Sequence, residues 1–201
     1  MAIQINGSGT ITGISVGGLP NGIVDTDMLA TNAVSAAKLA SGVGGKVLQV
    51  VQATKTDGDS QSVGSGGSWT PTAPKCSITP SNASNKILVQ ATIAVSLSTD
   101  AHGVYLTMLK DGSAMFVGDQ DGSNMQRTTV GTFSHNDYKF DHLVFNYLDT
   151  AGGTSAIEYS LELRHDSGGT SNIYLNRTEA TDNSDDRKRG ASSIILTEIA
   201  A

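Results

Sequence analysis

The sequence has little of what several common protein classes require. It contains one cysteine, Cys76, so no intrachain disulfide can form and metal sites built on paired cysteines are excluded. Aromatic residues make up only 5% of the 201 residues and charged residues only 16%, which does not suit long surface helices. The formal net charge of -6 gives no general attraction to phosphate backbones. We therefore expect no nucleic-acid partner.

Long apolar runs are also missing. No stretch approaches the ~20 consecutive apolar residues of a membrane span, and the first residues lack the basic start and apolar run of a signal peptide. We therefore expect that the protein is made in the cytoplasm and does not insert into a membrane. Glycine, in contrast, is abundant at 23 residues. Many glycines with few charges are typical of a chain of short strands and turns, so we predict an all-β protein.

A ten-residue repeat lies near the start of the chain, in residues 23–42. Val24 recurs as Val34 and Leu29 as Leu39, so that valine and leucine alternate at a spacing of five. This spacing fits neither one face of a helix nor one face of a strand. It does fit two single helical turns, residues 26–30 and 36–40, in which each valine precedes a capping residue and packs on the following leucine.

A capped single turn is unstable by itself, because nucleation uses most of what its few hydrogen bonds return. Several identical chains in parallel would let these apolar residues shelter one another on a common axis. The repeat therefore predicts a short stalk that assembles identical chains, with a flexible linker of chance similarity as the alternative. The predicted interface residues of this stalk are Val24, Leu29, Ala30, Val34, Leu39 and Ala40.

Four stretches of the chain carry a resemblance to a known family: residues 3–22 with the repeat after them, 45–54, 78–89 and 189–199. They resemble tail-fibre and related virion proteins of tailed bacteriophages, especially those of marine and cyanobacterial hosts. The resemblance covers both ends of the chain well and the middle poorly. It implies a homotrimer located in the virion. Members of this family occupy several places on a virion, so the resemblance leaves the exact part open.

From residue 46 the pattern changes to alternation of apolar and polar residues, which predicts half-buried strands. Asp111-Gly112 between two such stretches predicts a tight hairpin. Since no helix-period segment follows residue 45, we expect an antiparallel β-sandwich, similar to a jelly roll and to C1q- and TNF-like domains. The predicted strands are 46–55, 87–97, 104–110, 114–117, 140–148, 157–164, 172–176 and 192–199.

The predicted organisation has three parts: an N-terminal anchor over residues 1–22, the repeat stalk over 23–45 and the β-sandwich over 46–201. The anchor alternates isoleucine with polar residues, which suits strand addition to another virion protein. Residues 57–68 are rich in glycine and serine and are interpreted as an exposed loop. His142 is interpreted as a residue of the core.

The sequence offers no catalytic constellation, and we expect no enzyme, no cofactor and no metal site. Residues 119–124 supply oxygen ligands without the closing glutamate of a calcium loop, so an ordinary polar loop is the preferred interpretation. Loops at the ends of a sandwich are the expected places for receptor contacts. The candidate receptor-contact residues are Asp119, Asp121, Asn124, His135, Asn136, His165 and Asp166.

These features favour a homotrimeric phage fibre protein that attaches the virion to its host, through a surface polysaccharide or protein. Two other functions stay open. The protein can be a purely structural virion component, such as a head-decoration or collar fibre. More remotely, it can be a spike that degrades polysaccharide, although the chain lacks the length and the parallel-strand repeats usual for such spikes.

Overall fold

The computed structural model describes residues 4–5, 11–12, 29–31, 33–34, 38, 46–99, 102–122, 127–134, 141–180 and 188–201. The chain divides into two compact units, Met1–Gly45 and Lys46–Ala201. The strands of the described residues are β1 (Gln4–Ile5), β2 (Ile11–Thr12), β3 (Val47–Lys55), β4 (Asp59–Val63), β5 (Cys76–Ile78), β6 (Lys86–Leu97), β7 (His102–Lys110), β8 (Ser113–Met115), β9 (Val130–Ser134), β10 (Asp141–Thr150), β11 (Ile157–His165), β12 (Ser171–Leu175) and β13 (Ser192–Ile199).

The second unit is a sandwich of two antiparallel sheets. In the first sheet β3, β13, β6 and β10 are neighbours in that order, and β12 followed by β4 continues beside the last residues of β6. In the second sheet the order is β5, β11, β7, with β8 and β9 pairing with successive parts of β7. Chain order therefore alternates between the sheets, with β3–β13–β6–β10 facing β5–β11–β7–β9. This is the strand order of a jelly roll, which confirms the predicted fold.

The alternation seen in the sequence places the core between the two sheets. In β6 and β11 every second residue points inward and is almost completely buried, for example Ile87, Val89 and Ile93 in β6 and Leu161 and Leu163 in β11. The burial of these branched side chains supplies the main stabilising free energy, at roughly 25 cal/mol per Å² of apolar surface. Since the inward residues are apolar on both sheets, the outward residues determine what the domain contacts.

The hairpin predicted at Asp111-Gly112 is present between β7 and β8. Both turn residues have positive φ, 48° at Asp111 and 77° at Gly112, as a two-residue turn of type I′ requires. The carboxylate of Asp111 also accepts a hydrogen bond from the backbone N–H of Glu158 (2.9 Å), so the turn is fixed to β11.

Three interpretations of the sandwich sequence were wrong. The run 57–68 contains β4, which forms because β12 offers a free edge for Asp59–Val63 to pair with, although β4 has no apolar alternation. His142 lies on the outer side of β10 and is exposed. His165 is the last residue of β11 and only 1% exposed; its Nδ1 accepts from the N–H of Ser167, and its Nε2 lies 2.9 Å from the carbonyl of Val63. It therefore cannot contact a receptor as a loop residue.

In the first unit, β1 pairs antiparallel with β2. Leu29 lies in a bend and Ala30 in no regular structure, and the N–H of Ala33 donates to the carbonyl of Ala30 (2.9 Å). The predicted helical turn over 26–30 therefore does not include its last two residues. Leu29 and Val34 are 43% and 47% exposed. Val24, Leu39 and Ala40 lie outside the described residues.

A buried carboxylate joins three distant parts of the sandwich. Glu198 of β13 is 0% exposed and accepts hydrogen bonds from Gln49 of β3 (2.6 Å), from Asn85 (2.6 Å) and from both the N–H and the hydroxyl of Ser81 (2.7 and 2.8 Å). Burial raises the pKa of Glu198, but these hydrogen bonds outweigh burial and lower the pKa to about 2. The ionised Glu198 thus fixes the loop between β5 and β6 to the first sheet.

Candidate ligand pocket and assembly face

The outer faces of the two sheets differ in chemistry. Outward positions of β11 carry Glu158, Glu162 and Arg164, so the second sheet presents charge to its surroundings. On β3, β13, β6 and β10 of the first sheet, Lys86 is the one lysine, arginine or carboxylate residue at an outward position, and its Nζ donates to the hydroxyl of Thr150 (2.7 Å). The first sheet therefore has an almost uncharged outer surface.

This surface is also partly apolar, and we call it the apolar face. Leu148, Leu88, Thr197 and Val50 form one continuous row across its four strands, as the strand register shows. The exposed fractions of Val50, Leu148 and Val144 are 59%, 52% and 54%. The apolar face is defined by the outward apolar residues of the four strands: Leu48, Val50, Leu88, Val144, Leu148, Ile195 and Ile199.

Strand spacing gives the whole outer surface of these four strands, polar positions included, an area of roughly 450 Å², for strands ~4.8 Å apart and about four outward rows. The apolar residues named above occupy part of this area and the polar residues the rest. At the centre of the face Gln90 donates to Asn146 (3.0 Å), so two amides there already bond to each other. An uncharged surface of a partner protein could therefore pack on the apolar face without burying an unpaired charge.

A second apolar surface lies at the edge of the sandwich and is called the aromatic edge. Phe116 follows β8 with a left-handed φ of 49°, a backbone conformation rare for a bulky residue, and its ring is 53% exposed. The ring stacks on Tyr147 at 4.5 Å between centroids and approaches Phe145 at 5.7 Å. Phe116 is the exposed member of this edge, since Phe145 is only 4% exposed and Tyr147 is half-buried. The chain thus carries one exposed aromatic ring in addition to the apolar face.

The second sheet carries a pocket of about 350 Å³ on its outer side. This volume is at the lower end of the range usual for small-ligand sites, roughly 300–1,000 Å³. Arg164 and Asp166 come from the end of β11, and Tyr105 and Thr107 from the neighbouring β7. The residues that line the pocket are Tyr105, Thr107, Arg127, Thr128, Arg164 and Asp166.

Asp166 organises one wall of the pocket. Its carboxylate accepts hydrogen bonds from the N–H of Gly103 (2.7 Å) and from the hydroxyl of Tyr105 (2.9 Å), and it lies 3.2 Å from Nδ1 of His102. Burial raises the pKa of Asp166, but these three contacts outweigh burial and hold the pKa below its ordinary value. Burial and the contact with Asp166 raise the pKa of Tyr105. Tyr105 therefore stays protonated and donates to an ionised Asp166.

Two glycines leave the space that the Tyr105 ring occupies. A Cβ atom on Gly131 of β9 would lie 2.5 Å from Cδ1 of Tyr105, and one on Gly103 would lie 2.8 Å from its hydroxyl oxygen. Larger residues at either position would displace the ring. The ring therefore lies close to the strand backbones, held between these glycines and Asp166.

Two arginines line the pocket with Tyr105 and Asp166. Nε of Arg127 donates to the carbonyl of Gly118 (2.7 Å), and Nε of Arg164 donates to Glu162 (2.9 Å). Both side chains are thus oriented through Nε. Within the part of the chain that the structure describes, the terminal Nη atoms of Arg127 and Arg164 have no hydrogen-bond partner.

Of the candidate receptor-contact residues, the structure places only Asp166 in this pocket. Asp119 and Asp121 are exposed in the loop after β8. Asn124, His135 and Asn136 lie outside the described residues. Sequence reasoning missed Tyr105, Arg127 and Arg164, although the outward position of Arg164 in a strictly alternating strand was readable from the sequence.

Two kinds of feature are absent from the described residues. Among these residues no helix is long and apolar enough to cross a membrane. Over the same residues, no group of three or more histidine, cysteine, aspartate or glutamate side chains is arranged to hold a metal ion.

No protein-family model matches the chain, and no curated protein matches it. Solved structures of virus particles are similar to it: infectious bursal disease virus strain Gt, with 17% identity and a TM-score of 0.41, and strain Gx, with 16% identity and a TM-score of 0.40. The alignments cover 76% of this chain and 38% and 37% of those chains, so it spans less than two fifths of their length. Likeness at this level carries no argument about function.

Proposed function

We propose that the protein is a homotrimeric virion fibre protein whose sandwich domain attaches the particle to the surface of a bacterial host. The contrast between the two outer faces of the sandwich carries this proposal. One sheet presents an apolar face suited to self-assembly, and the other presents a polar pocket suited to a ligand. The virion setting rests on the resemblance of residues 3–22, 45–54, 78–89 and 189–199 to phage fibre proteins.

The two apolar surfaces favour a closed ring of subunits. A twofold dimer pairs one patch with itself, whereas contact between two different patches repeats from subunit to subunit and closes into a ring when the rotation permits. Packing the aromatic edge of one subunit onto the apolar face of the next uses both surfaces in this way. The whole outer surface of β3, β13, β6 and β10 offers about half of the ~800 Å² that each partner of a stable interface usually buries. The edge and the stalk supply the rest.

Trimerisation places three pockets on one fibre end. Weak contacts to a repeating surface polymer then act together, because the first contact raises the effective concentration of the others, and the gain reaches ~10²–10⁴ in avidity. The test is binding of the labelled full chain to host cells and to isolated envelope polysaccharide. We expect retention on host cells and none on unrelated cells. Equal retention on both, or none on host cells, contradicts host attachment.

The proposed stalk can be tested by substituting its two leucines. Replacing both Leu29 and Leu39 by aspartate is expected to cost several kcal/mol per chain, since a shared axial core would then hold unpaired charge. Melting temperature and molar mass in solution measure the effect. The control, Thr31→Asp with Ser35→Asp, adds the same charge, and aspartate at 35 still caps a helical turn. Unchanged mass and melting of the leucine variant would mean that the repeat is only a tether.

A purely structural role in the virion is the second candidate. Its sequence basis is the N-terminal anchor, residues 1–22, which joins this chain to other virion proteins, as in a head-decoration or collar fibre. Antibody labelling of intact particles separates the two candidates, since labels at tail ends support host attachment and labels on capsid faces support the structural role.

We propose that the protein is not an enzyme. Hydrolysis of a glycosidic bond uses two carboxyl groups about 5–9.5 Å apart, one of which needs a raised pKa to act as the acid. Asp166 is the one carboxylate among the described residues that line the pocket, and its pKa is lowered. The remaining candidate, a polysaccharide-degrading spike, requires new reducing ends when the protein is incubated with host capsule, and we expect none.

A further inference from the structure

The pocket on the second sheet has an excess of unused hydrogen-bond donors. A guanidinium group has five N–H donors, and in Arg127 and Arg164 the described contacts use only the Nε donor. The Nη groups of both side chains are therefore available to a ligand. Arginine keeps its charge at any physiological pH, so these donors are always charged.

The other polar groups of the pocket have partners within the sheet. Both oxygens of Asp166 hold contacts, one with Gly103 and His102 and the other with Tyr105. The hydroxyl of Thr128 donates its proton to the carbonyl of Leu106 (2.7 Å), so it offers a ligand no donor. The unused donors are therefore those of the two arginines, and charged acceptors pair best with a guanidinium fork.

The wall formed by Tyr105 adds an aromatic surface to these donors. Its hydroxyl is committed to Asp166, so the ring itself is what Tyr105 offers to a ligand. The ring already packs against the backbone at Gly103 and Gly131. An aromatic ring next to charged donors suits a ligand with one apolar face and one planar anionic group.

We propose that this pocket binds a carboxylate-bearing sugar residue of a surface polysaccharide, with the carboxylate held by Arg127 and Arg164 and the C–H face of the sugar ring against Tyr105. This assignment rests on the proposed role in host attachment and names its ligand class. The planar carboxylate matches the paired N–H groups of a guanidinium better than a neutral hydroxyl does.

The test is calorimetric titration of the full-length protein with a trigalacturonate oligosaccharide. The same oligosaccharide after reduction of its carboxyl groups is the neutral control ligand, and glucose 6-phosphate is the control for anion binding of any kind. We expect wild-type protein to bind the acidic trisaccharide at least tenfold more tightly than either control. Raising the salt concentration is expected to weaken this binding, since the contact is between charges.

Arg164→Gln and Arg127→Gln are each expected to weaken trigalacturonate binding at least tenfold. Lys75→Gln is the matched control: it removes one positive charge from an exposed residue that pairs with Glu158 (3.3 Å) and does not line the pocket, so binding should stay within twofold of wild type. Circular dichroism confirms that each variant keeps its strands. A glutamine variant that binds like wild type, or equal binding of the acidic and reduced sugars, overturns the assignment.

Retention of the protein on host cells, measured beside trigalacturonate binding, distinguishes failure of the proposed pocket ligand from failure of the proposed host attachment. Host cells that retain the protein while trigalacturonate does not bind would overturn the pocket ligand and leave host attachment standing. Binding of trigalacturonate without retention on any host cell would overturn host attachment and leave the pocket ligand standing.

Discussion

Replacing Glu198 by alanine is expected to lower the free energy of unfolding by roughly 1–3 kcal/mol. The substitution removes the acceptor of Asn85, which is buried, and of Gln49 and Ser81, which are half-buried and exposed. A buried donor without a partner costs about 1–3 kcal/mol, whereas water can replace the lost acceptor of an exposed donor. Urea denaturation at equal protein concentration measures the change. Equal concentration is necessary because the stability of an oligomer depends on it.

Glu158→Ala is the matched control for this substitution. The Glu158 side chain is 43% exposed and pairs with Lys75 at 3.3 Å, so its loss is expected to change the stability by less than about 1 kcal/mol. If Glu198→Ala and Glu158→Ala destabilise the protein equally, the cluster around Glu198 has no special role in joining the β5–β6 loop to the first sheet.

The lowered pKa of Glu198 also predicts a dependence of stability on pH. The pKa of this carboxyl falls from about 4.5 in the unfolded chain to about 2 in the folded one. Its contribution is therefore fully present above pH 4.5 and is lost as the pH falls toward 2. Between pH 5 and 2.5, wild type should lose more stability than Glu198→Gln. Asp149 and Asp166 also have lowered pKa values, but they contribute equally to both proteins.

Replacing Val50 or Leu88 by aspartate is expected to dissociate the proposed trimer into monomers at micromolar concentration. Both residues lie in the row of the apolar face that runs from Leu148 to Val50, where a partner subunit would have to bury the new charge without a counter-ion. In the isolated chain Val50 is 59% exposed and Leu88 is half-buried, so the fold itself should persist. Sedimentation velocity measures the assembly, and circular dichroism measures the fold.

Ser77→Asp provides the comparison for these variants. Ser77 is an exposed residue of β5, at the edge of the second sheet opposite β8, and lies outside both the apolar face and the aromatic edge. The proposed trimer should tolerate the added charge there. Dissociation by Ser77→Asp to the same extent would show that any added negative charge disrupts the assembly. Intact trimers of Val50→Asp and Leu88→Asp would remove the apolar face from the interface.

Most of the strands could be predicted from the sequence, because strands that are buried on one side alternate in polarity. Ile157–His165 and Lys86–Leu97 lie within one residue of the prediction. The exposed strand Asp59–Val63 was missed since its polar residues show no alternation, and only its pairing with β12 makes it a strand. His165 was placed in a loop because glycines and serine follow it closely, whereas burial against Val63 decides its position.

The sites could be predicted far less well, because they join residues distant in the sequence. The pocket brings Tyr105, Arg127 and Arg164 together from two strands and a loop. The buried cluster likewise joins Gln49, Ser81 and Glu198, which belong to three separate stretches of the sequence. Nothing in one sequence indicates that such stretches meet.

The molar mass of the full-length protein in solution tests the central claim most directly. Light scattering on a size-exclusion column should give three times the 20.7-kDa mass of the chain for wild type, and one chain mass for Val50→Asp. A wild-type protein with the mass of one chain would contradict the trimer, and the apolar face would then require another occupant.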